Sequence, residues 1–365
     1  MWQIAAGDPG RDYSKLFIKH DLMLIGPGRF GPYTEETRQE FRLRTLSEGF
    51  SEHKVGQIRA FCTMVSPGDV VLLRTGHRVK AVGLVHNSEY EHRKDFDDVY
   101  GWDLQHMRRV MWQDQIASRL ASIQDDRREV FGHMKEIPTL TRVMDRKVLE
   151  VFEPLFELCH ERKLRDLPPP PSDVLDSEKI GTLLFAKGLP NEFVDRTLLA
   201  LQRQKRLARW YEGLGKRASR PREHEVVAHM VLPLLLALGW SEQLLAVEWN
   251  RIDLAAFAET PTDAGTCVLV CEAKELGHGL QDIFDQARRY VSTLKMARCK
   301  KILLTEGQRL YVYQKDGENW GDEPAGYINV HRIRENHIAP AGTNAIETIV
   351  ALTPMRIERP LGKRG

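Results

Sequence analysis

Cysteine is scarce in this 365-residue chain: Cys62, Cys159, Cys267, Cys271 and Cys299, with no Cys-x-x-Cys pair. That pattern argues against a disulfide framework and against a zinc site of ordinary spacing. Cys267 and Cys271 flank an apolar strand and read as core packing. Long hydrophobic runs are missing too, and nothing approaches the roughly 20 apolar residues a membrane helix needs. The start, Met1-Trp2-Gln3-Ile4, has neither the basic nor the apolar part of a secretion leader. The expectation is a cytoplasmic protein with no membrane partner. A phosphate loop of the form Gly-x-x-x-x-Gly-Lys-[Ser/Thr] is also absent: Gly213-Leu214-Gly215-Lys216-Arg217 lacks both the spacing and the hydroxyl. No nucleoside triphosphate is therefore expected as a partner. Internal repeats are not seen, and a net charge of +2 leaves the balance nearly even.

What is present is local. Thr266-Cys267-Val268-Leu269-Val270-Cys271 reads as a buried strand, and it ends in Glu272-Ala273-Lys274. Upstream lies Asp253 on a neighbouring strand, and Thr260-Pro261-Thr262-Asp263-Ala264-Gly265 between them reads as a hairpin loop. The loop centre falls between residues 262 and 263, which sets Asp253 directly opposite Glu272. Opposed residues have Cα atoms about 4.5–5.5 Å apart. Two carboxylates held so close repel unless a cation lies between them, so the pairing asks for a divalent metal. Lys274, two residues past Glu272, points to the same face. An acid pair with an adjacent ammonium is minimal equipment for metal-assisted phosphodiester hydrolysis. On its own the pattern also suits an edge strand with solvated charges.

The flanking segments shift that balance. Glu225 to Leu238 reads as a mostly buried helix stopped at Gly239-Trp240, with Pro233 expected to kink it. Leu280 to Lys295 has helical spacing and carries Gln286 and Tyr290 on one face. Lys301-Ile302-Leu303-Leu304-Thr305 and Leu310-Tyr311-Val312-Tyr313 follow as a strand pair around Gly307-Gln308.

Residues from about 223 to 315 resemble the PD-(D/E)XK nuclease superfamily, in the version found at the front of type I restriction enzyme motor subunits. The resemblance is carried by Glu225, Leu238-Gly239-Trp240, Asp253, Glu272-Ala273-Lys274 and Gln286-Ala287-Arg288-Arg289-Tyr290. One departure is Ile252 where the family has Pro before the Asp. The resemblance, with the chemistry above, implies a Mg²⁺ site (Mn²⁺ as a substitute) held by Asp253, Glu272 and the Ala273 backbone carbonyl. Lys274 would orient the attacking water or stabilise charge on the phosphate. Glu225 would complete the shell, unless it serves only as a carboxylate at a helix N-terminus. Gln286 would position the phosphate or Lys274, unless it is a surface residue beside a core Tyr290.

Three regions organise the chain. The front, residues 1–145, is strand-like and turn-rich, with some helix from Thr34 to about Leu46. Its Pro67-Gly68-Asp69 turn into a strand, the Val79 to Val85 partner and Arg108-Arg109-Val110-Met111-Trp112 resemble EVE-like members of the PUA barrel superfamily. That resemblance implies a small β-barrel that reads a modified base flipped from the duplex, which requires aromatic faces. Trp102, Trp2, Tyr33 and Trp112 are the candidates, each also a plausible core residue, with Trp102 favoured because Gly101 and Asp103 mark an exposed turn. Residues 146–222 read as a helical region interrupted by the polyproline spacer Leu167–Asp173. From Arg203 to Arg222 there are eight Lys and Arg residues against the single acid Glu212, a net +7. Arg203, Lys205, Arg206, Arg209, Lys216 and Arg217 are thus candidates for DNA-backbone contact, the competing reading being a solvated helical face. The nuclease region spans 223–335, and 336–365 read as a tail without periodicity.

The expected fold class is mixed α+β: a PUA-like barrel, a helical middle and an α/β restriction-endonuclease-like end. The expected function is modification-dependent restriction of double-stranded DNA by a homodimer. Two alternatives stand beside it: a repair nuclease for damaged or branched DNA, and a PUA-type nucleic-acid-binding protein with a structural nuclease core.

Overall fold

The polyproline run is where the chain divides: in the computed structural model, Met1–Pro169 form one unit and the chain from Pro170 forms another. Residues 1–8, 10–76, 78–116, 119–120, 139–214 and 221–361 are described.

Among the described residues the first unit has nine strands: β1 (Trp2–Ala5), β2 (Gly7–Asp8), β3 (Arg11–Asp12), β4 (Leu22–Ile25), β5 (Val70–Thr75), β6 (Arg78–Val85), β7 (Glu91–His92), β8 (His106–Trp112) and β9 (Leu140–Arg142). Seven form one mixed sheet in the order β4-β8-β6-β5-β1-β9, with β7 on β8, curled into a half-barrel. β1 runs parallel to β5 with Trp2 beside Val71, a pairing across almost seventy residues that no local pattern announces. Helices Ser14–Lys19, Arg38–Ser47 and Glu52–Thr63 accompany the sheet. Ser51 caps the last of these by accepting from the Lys54 amide. Arg108 on β8 donates to the carbonyls of Phe61 and Cys62, both at 2.7 Å, fastening that helix's end to the sheet.

The segment expected as linker after residue 145 belongs to this unit up to Pro169. Helix Arg146–Phe156 buries Val148, Phe152 and Leu155 against Leu72, Val79 and Val82. Beyond it, both terminal nitrogens of Arg162 bind the carboxylate of Asp21, a residue with no exposure. Burial alone would raise the Asp21 carboxyl, but hydrogen bonds from Arg162 and Arg165 hold it below the ordinary range.

The second unit opens with helices Ser177–Ala186 and Asn191–Gly213. Its strands are β10 (Leu245–Trp249), β11 (Ile252–Phe257), β12 (Cys267–Ala273), β13 (Lys301–Thr305), β14 (Arg309–Asp316), β15 (Asn319–Trp320) and β16 (Gly326–Asn329). The sheet order is β10-β11-β12-β13-β14-β15, with β16 also on β14. In this sheet β12 and β13 pair in parallel, and helix Phe284–Thr293 makes the crossover between them. Every residue of β12 is buried, as expected for a central strand covered on both faces.

The helix expected from Glu225 to Leu238 runs Glu223–Val226, then a π-turn over Val227–Val231, then Leu232–Ala237. The wider turn directly precedes Pro233, which stands at the start of the last segment, where its missing N–H is best tolerated. Gly307, in the β13–β14 turn at φ +92°, lies so near this helix that an added Cβ would sit 2.1 Å from Met230 Sδ. The region expected as a tail contains a helix: Asn344 caps Ala345–Ala351, which is buried almost throughout. Trp240 closes the arrangement by donating to the Leu352 carbonyl at 2.8 Å. A seven-residue helix buried almost throughout shows no amphipathic period, which is why it escapes a periodicity search.

Candidate functional site

The β11–β12 hairpin pairs Leu254 with Cys271 and Ala255 with Val270. Carried one residue further, that register sets Asp253 opposite Glu272. A bulge at Ala256/Phe257 shifts the register by one residue between the turn and the site, and the pairing from Ala256 to Leu254 is regular. Asp253 Oδ2 accepts from the Ala273 amide at 2.7 Å, so the carboxylate reaches across to the neighbouring strand. Glu272 is 2 % exposed. Its Oε2 accepts from Gln286 Nε2 at 3.4 Å, and Gln286 in turn donates to the Tyr290 hydroxyl at 3.1 Å. Oε1 is buried with no hydrogen-bond partner.

Lys274 follows β12, its amide donating to the Thr305 carbonyl at 2.8 Å. Its Nζ lies 2.8 Å from Glu223 Oε1. The helix therefore supplies a carboxylate to the site, but from Glu223. Glu225 reaches back to the Arg222 amide at 2.7 Å and caps the helix start. Its placement is that of a carboxylate at the helix terminus, one of the two roles open to it in the sequence.

The electrostatics follow from crowding. Burial, followed by the charge of Asp253, pushes the Glu272 carboxyl up to about 8. Burial also raises Asp253, with the Ala273 amide and Lys274 pulling the other way. Burial alone would lower Lys274; the hydrogen bond and charge of Glu223, joined by Asp253 and Glu272, carry it above the ordinary lysine value instead. Two acids raised together, one with an unpartnered buried oxygen, are a site short of positive charge, and a divalent cation fits that deficit. Among the described residues no group of three or more His, Cys, Asp and Glu side chains converges. A pair of carboxylates is nonetheless what Mg²⁺ takes when substrate phosphate and water complete its shell.

In the first unit the base-pocket candidates separate. Trp112 is fully buried, its indole N–H donating to the Leu22 carbonyl at 3.1 Å. Trp2 is buried and donates to Asp69 Oδ2 at 2.9 Å. Tyr33 is buried with its ring edge-on to Phe41. These three are core residues. Trp102 alone is half-buried, and the Arg11 guanidinium lies 4.2 Å above its ring.

Of the DNA-backbone candidates, Arg203, Arg206 and Arg209 are exposed on helix Asn191–Gly213 and Lys205 is half-buried there. Lys216 and Arg217 lie outside the described residues.

Residues 2–131 match a family described as a domain of unknown function, DUF8426; the match lies within the first unit. No curated protein and no solved structure matches the chain. No helix among the described residues is long and apolar enough to cross a membrane.

Proposed function

We propose that this protein is a metal-dependent endodeoxyribonuclease of the modification-dependent restriction type, cutting with the second unit and reading DNA with the first. The observation that carries the nuclease half is the convergence of Asp253, Glu272 and Lys274 at one end of the β11–β12 hairpin. Sheet order and flanking helices also accord with the PD-(D/E)XK resemblance. The reader half rests on the EVE/PUA resemblance of residues 1–145 and is supported by the curled sheet of that unit.

Asp253, Glu272 and the Ala273 carbonyl would hold Mg²⁺, which when bound supplies Lewis-acid stabilisation of the phosphoryl oxygens and a more acidic water. The protein's own groups set the geometry. The Ala273 amide fixes one oxygen of Asp253. Gln286 steadies Glu272. Glu223 keeps Lys274 protonated and aimed, so that its ammonium can stabilise charge developing on the phosphate.

The test is Mg²⁺-dependent cleavage of matched duplexes that are unmodified, methylated, hydroxymethylated or glucosylated. Cutting confined to one or more modified duplexes is expected. Equal cutting of all four removes the reader, and cutting of branched DNA alone replaces restriction with repair. Asp253→Ala and Lys274→Ala are expected to abolish cleavage while DNA binding persists; turnover retained in either removes the assigned chemistry.

A further inference from the structure

Helix Asn191–Gly213 has two unlike sides. Val194, Thr197, Leu201, Gln204 and Ala208 are buried along one of them, where Gln204 donates from Nε2 to the Gly307 carbonyl at 2.6 Å. A helix advances about 100° per residue, so Leu199, Arg203, Arg206 and Trp210 fall within one arc of about 60° on the side opposite that row. All four are exposed, Leu199 at 66 % and Trp210 at 57 %. The stripe alternates apolar and cationic character, unlike the mainly polar outer face of an ordinary surface helix.

Its charge has one sign. From Arg196 to Tyr211 the helix carries no acid and five cations: Arg196, Arg203, Lys205, Arg206 and Arg209. Arg196 is paired with Glu192 one turn earlier, whereas among the described residues no ion pair involves Arg203 or Arg206. The helix dipole favours cations only within the last turn, and both arginines stand earlier than that. Trp210 is the second, independent feature. Its ring meets Tyr211 edge-on, centroids 4.9 Å apart at 66°. Tyr211 is half-buried and packs against the core that contains Leu201 and Ala208. A neighbour anchored in the core thus braces an indole that is itself more than half exposed. A nucleobase can cover such a ring while the phosphates beside it meet the two guanidinium groups. Bases inside a duplex are stacked on one another, so the base that fits here comes from an unpaired strand.

We propose that Trp210, Arg206 and Arg203 form a contact line for an unpaired nucleic-acid strand, with one base stacked on the indole and the flanking phosphates held by the two arginines. That this strand belongs to the DNA being cut rests on the nuclease reading, while the stacking and the charge stand on the helix alone.

The test is binding of a labelled oligothymidylate strand to the full chain, read by fluorescence anisotropy in metal-free buffer across a salt series. Trp210→Ala is expected to weaken binding about 5–100-fold, the scale of one lost stacking contact, without altering the slope of log K against log[salt]. Trp210→Leu, apolar but without a π face, should behave like Trp210→Ala, and Trp210→Phe should recover most of the affinity. Arg203→Ala and Arg206→Ala are each expected to reduce the slope by about 0.7, the increment of one single-strand phosphate. A strand abasic throughout should bind the wild-type chain no more tightly than oligothymidylate binds Trp210→Ala. All the substituted positions are exposed, and unchanged melting points exclude a folding defect. Wild-type affinity in Trp210→Leu overturns the proposal, as does equal binding of the abasic strand or no strand binding at all. So does a dimer in sedimentation that Trp210→Ala splits while strand binding stays unchanged, since the face then joins two copies of the chain. Strand binding lost in Trp210→Ala supports the contact line even in a chain that cuts no duplex with Mg²⁺, the result that removes the nuclease reading.

Discussion

Lys274 Nζ and Glu223 Oε1 lie 2.8 Å apart, joining the end of the central strand to the first turn of the helix that packs beside it. The ammonium is thereby held by a group outside the acid pair, and the helix enters the chemistry by orientation. Glu223→Gln is expected to leave the fold intact and slow cleavage about 10–100-fold, the scale of a misplaced catalytic group. Glu225→Ala should do the opposite, costing about 1 kcal/mol through the lost cap with turnover nearly unchanged. Thermal melts and single-turnover cleavage of both variants check the assignment; a reversed pattern returns the catalytic role to Glu225.

The unpartnered oxygen of Glu272 makes a separate prediction about metal. Mg²⁺ or Mn²⁺ should raise the melting temperature of the wild-type chain, with about 2.7 kcal/mol gained at a hundredfold excess over the dissociation constant. Asp253→Asn and Glu272→Gln should each remove the increment. In metal-free buffer Glu272→Gln is expected to cost little, since it neutralises a buried carboxyl that has no partner for one oxygen. A melting point indifferent to either cation counts against the site.

Acid should loosen the first unit through His106. This residue is fully buried, its Nδ1 2.7 Å from the Tyr90 hydroxyl and its Nε2 3.1 Å from the Pro27 carbonyl. Burial first, then the His92 charge, lower it to about 3 against an ordinary 6.5. The folded chain then binds fewer protons than the unfolded one between those values, so this contribution is fully present above pH 6.5. It is lost progressively as pH falls toward 3. Denaturation midpoints followed over pH 3–7, with the imidazole charge read by NMR, test the direction. Titration of His106 near 6.5 in the native protein removes the effect.

Two tryptophans expected in one pocket should part company on mutation. Trp112→Ala empties a fully buried volume and removes the partner of the Leu22 carbonyl, at a cost of about 3–5 kcal/mol. Trp102→Ala forfeits a half-exposed ring and its Arg11 contact, worth about 0.5–1 kcal/mol. If Trp102 serves the reader, discrimination between modified and unmodified duplex should fall while stability holds. Discrimination unaltered in Trp102→Ala removes it from that role.

The acid pair was legible in the chain because a hairpin converts sequence distance into opposition, and the loop at 260–265 marks the centre. The bulge between Ala256 and Phe257 shifts the register by one residue between loop and site: the loop-side pairing of Phe257 with Cys267, carried on unchanged, would set Asp253 opposite Cys271 and not Glu272. The choice between Glu223 and Glu225 was not legible. Both stand at a helix start, and only the three-dimensional placement of Lys274 distinguishes a cap from an ion pair. The aromatic residues of the front failed to sort for a related reason. Trp2 owes its burial partly to the β1–β5 pairing, whose two strands are far apart in the chain. A ring's surroundings there depend on contacts that local patterning does not encode.

A side chain at Gly307 would strain its backbone at φ +92° and force the Met230 thioether to move, since an added Cβ would lie 2.1 Å from Sδ. The helix that presents Glu223 and the turn that holds the backbone of Lys274 meet at this contact. Drift at this position during divergence would disturb the amine and its carboxylate together, so the two inherit a common tolerance to mutation.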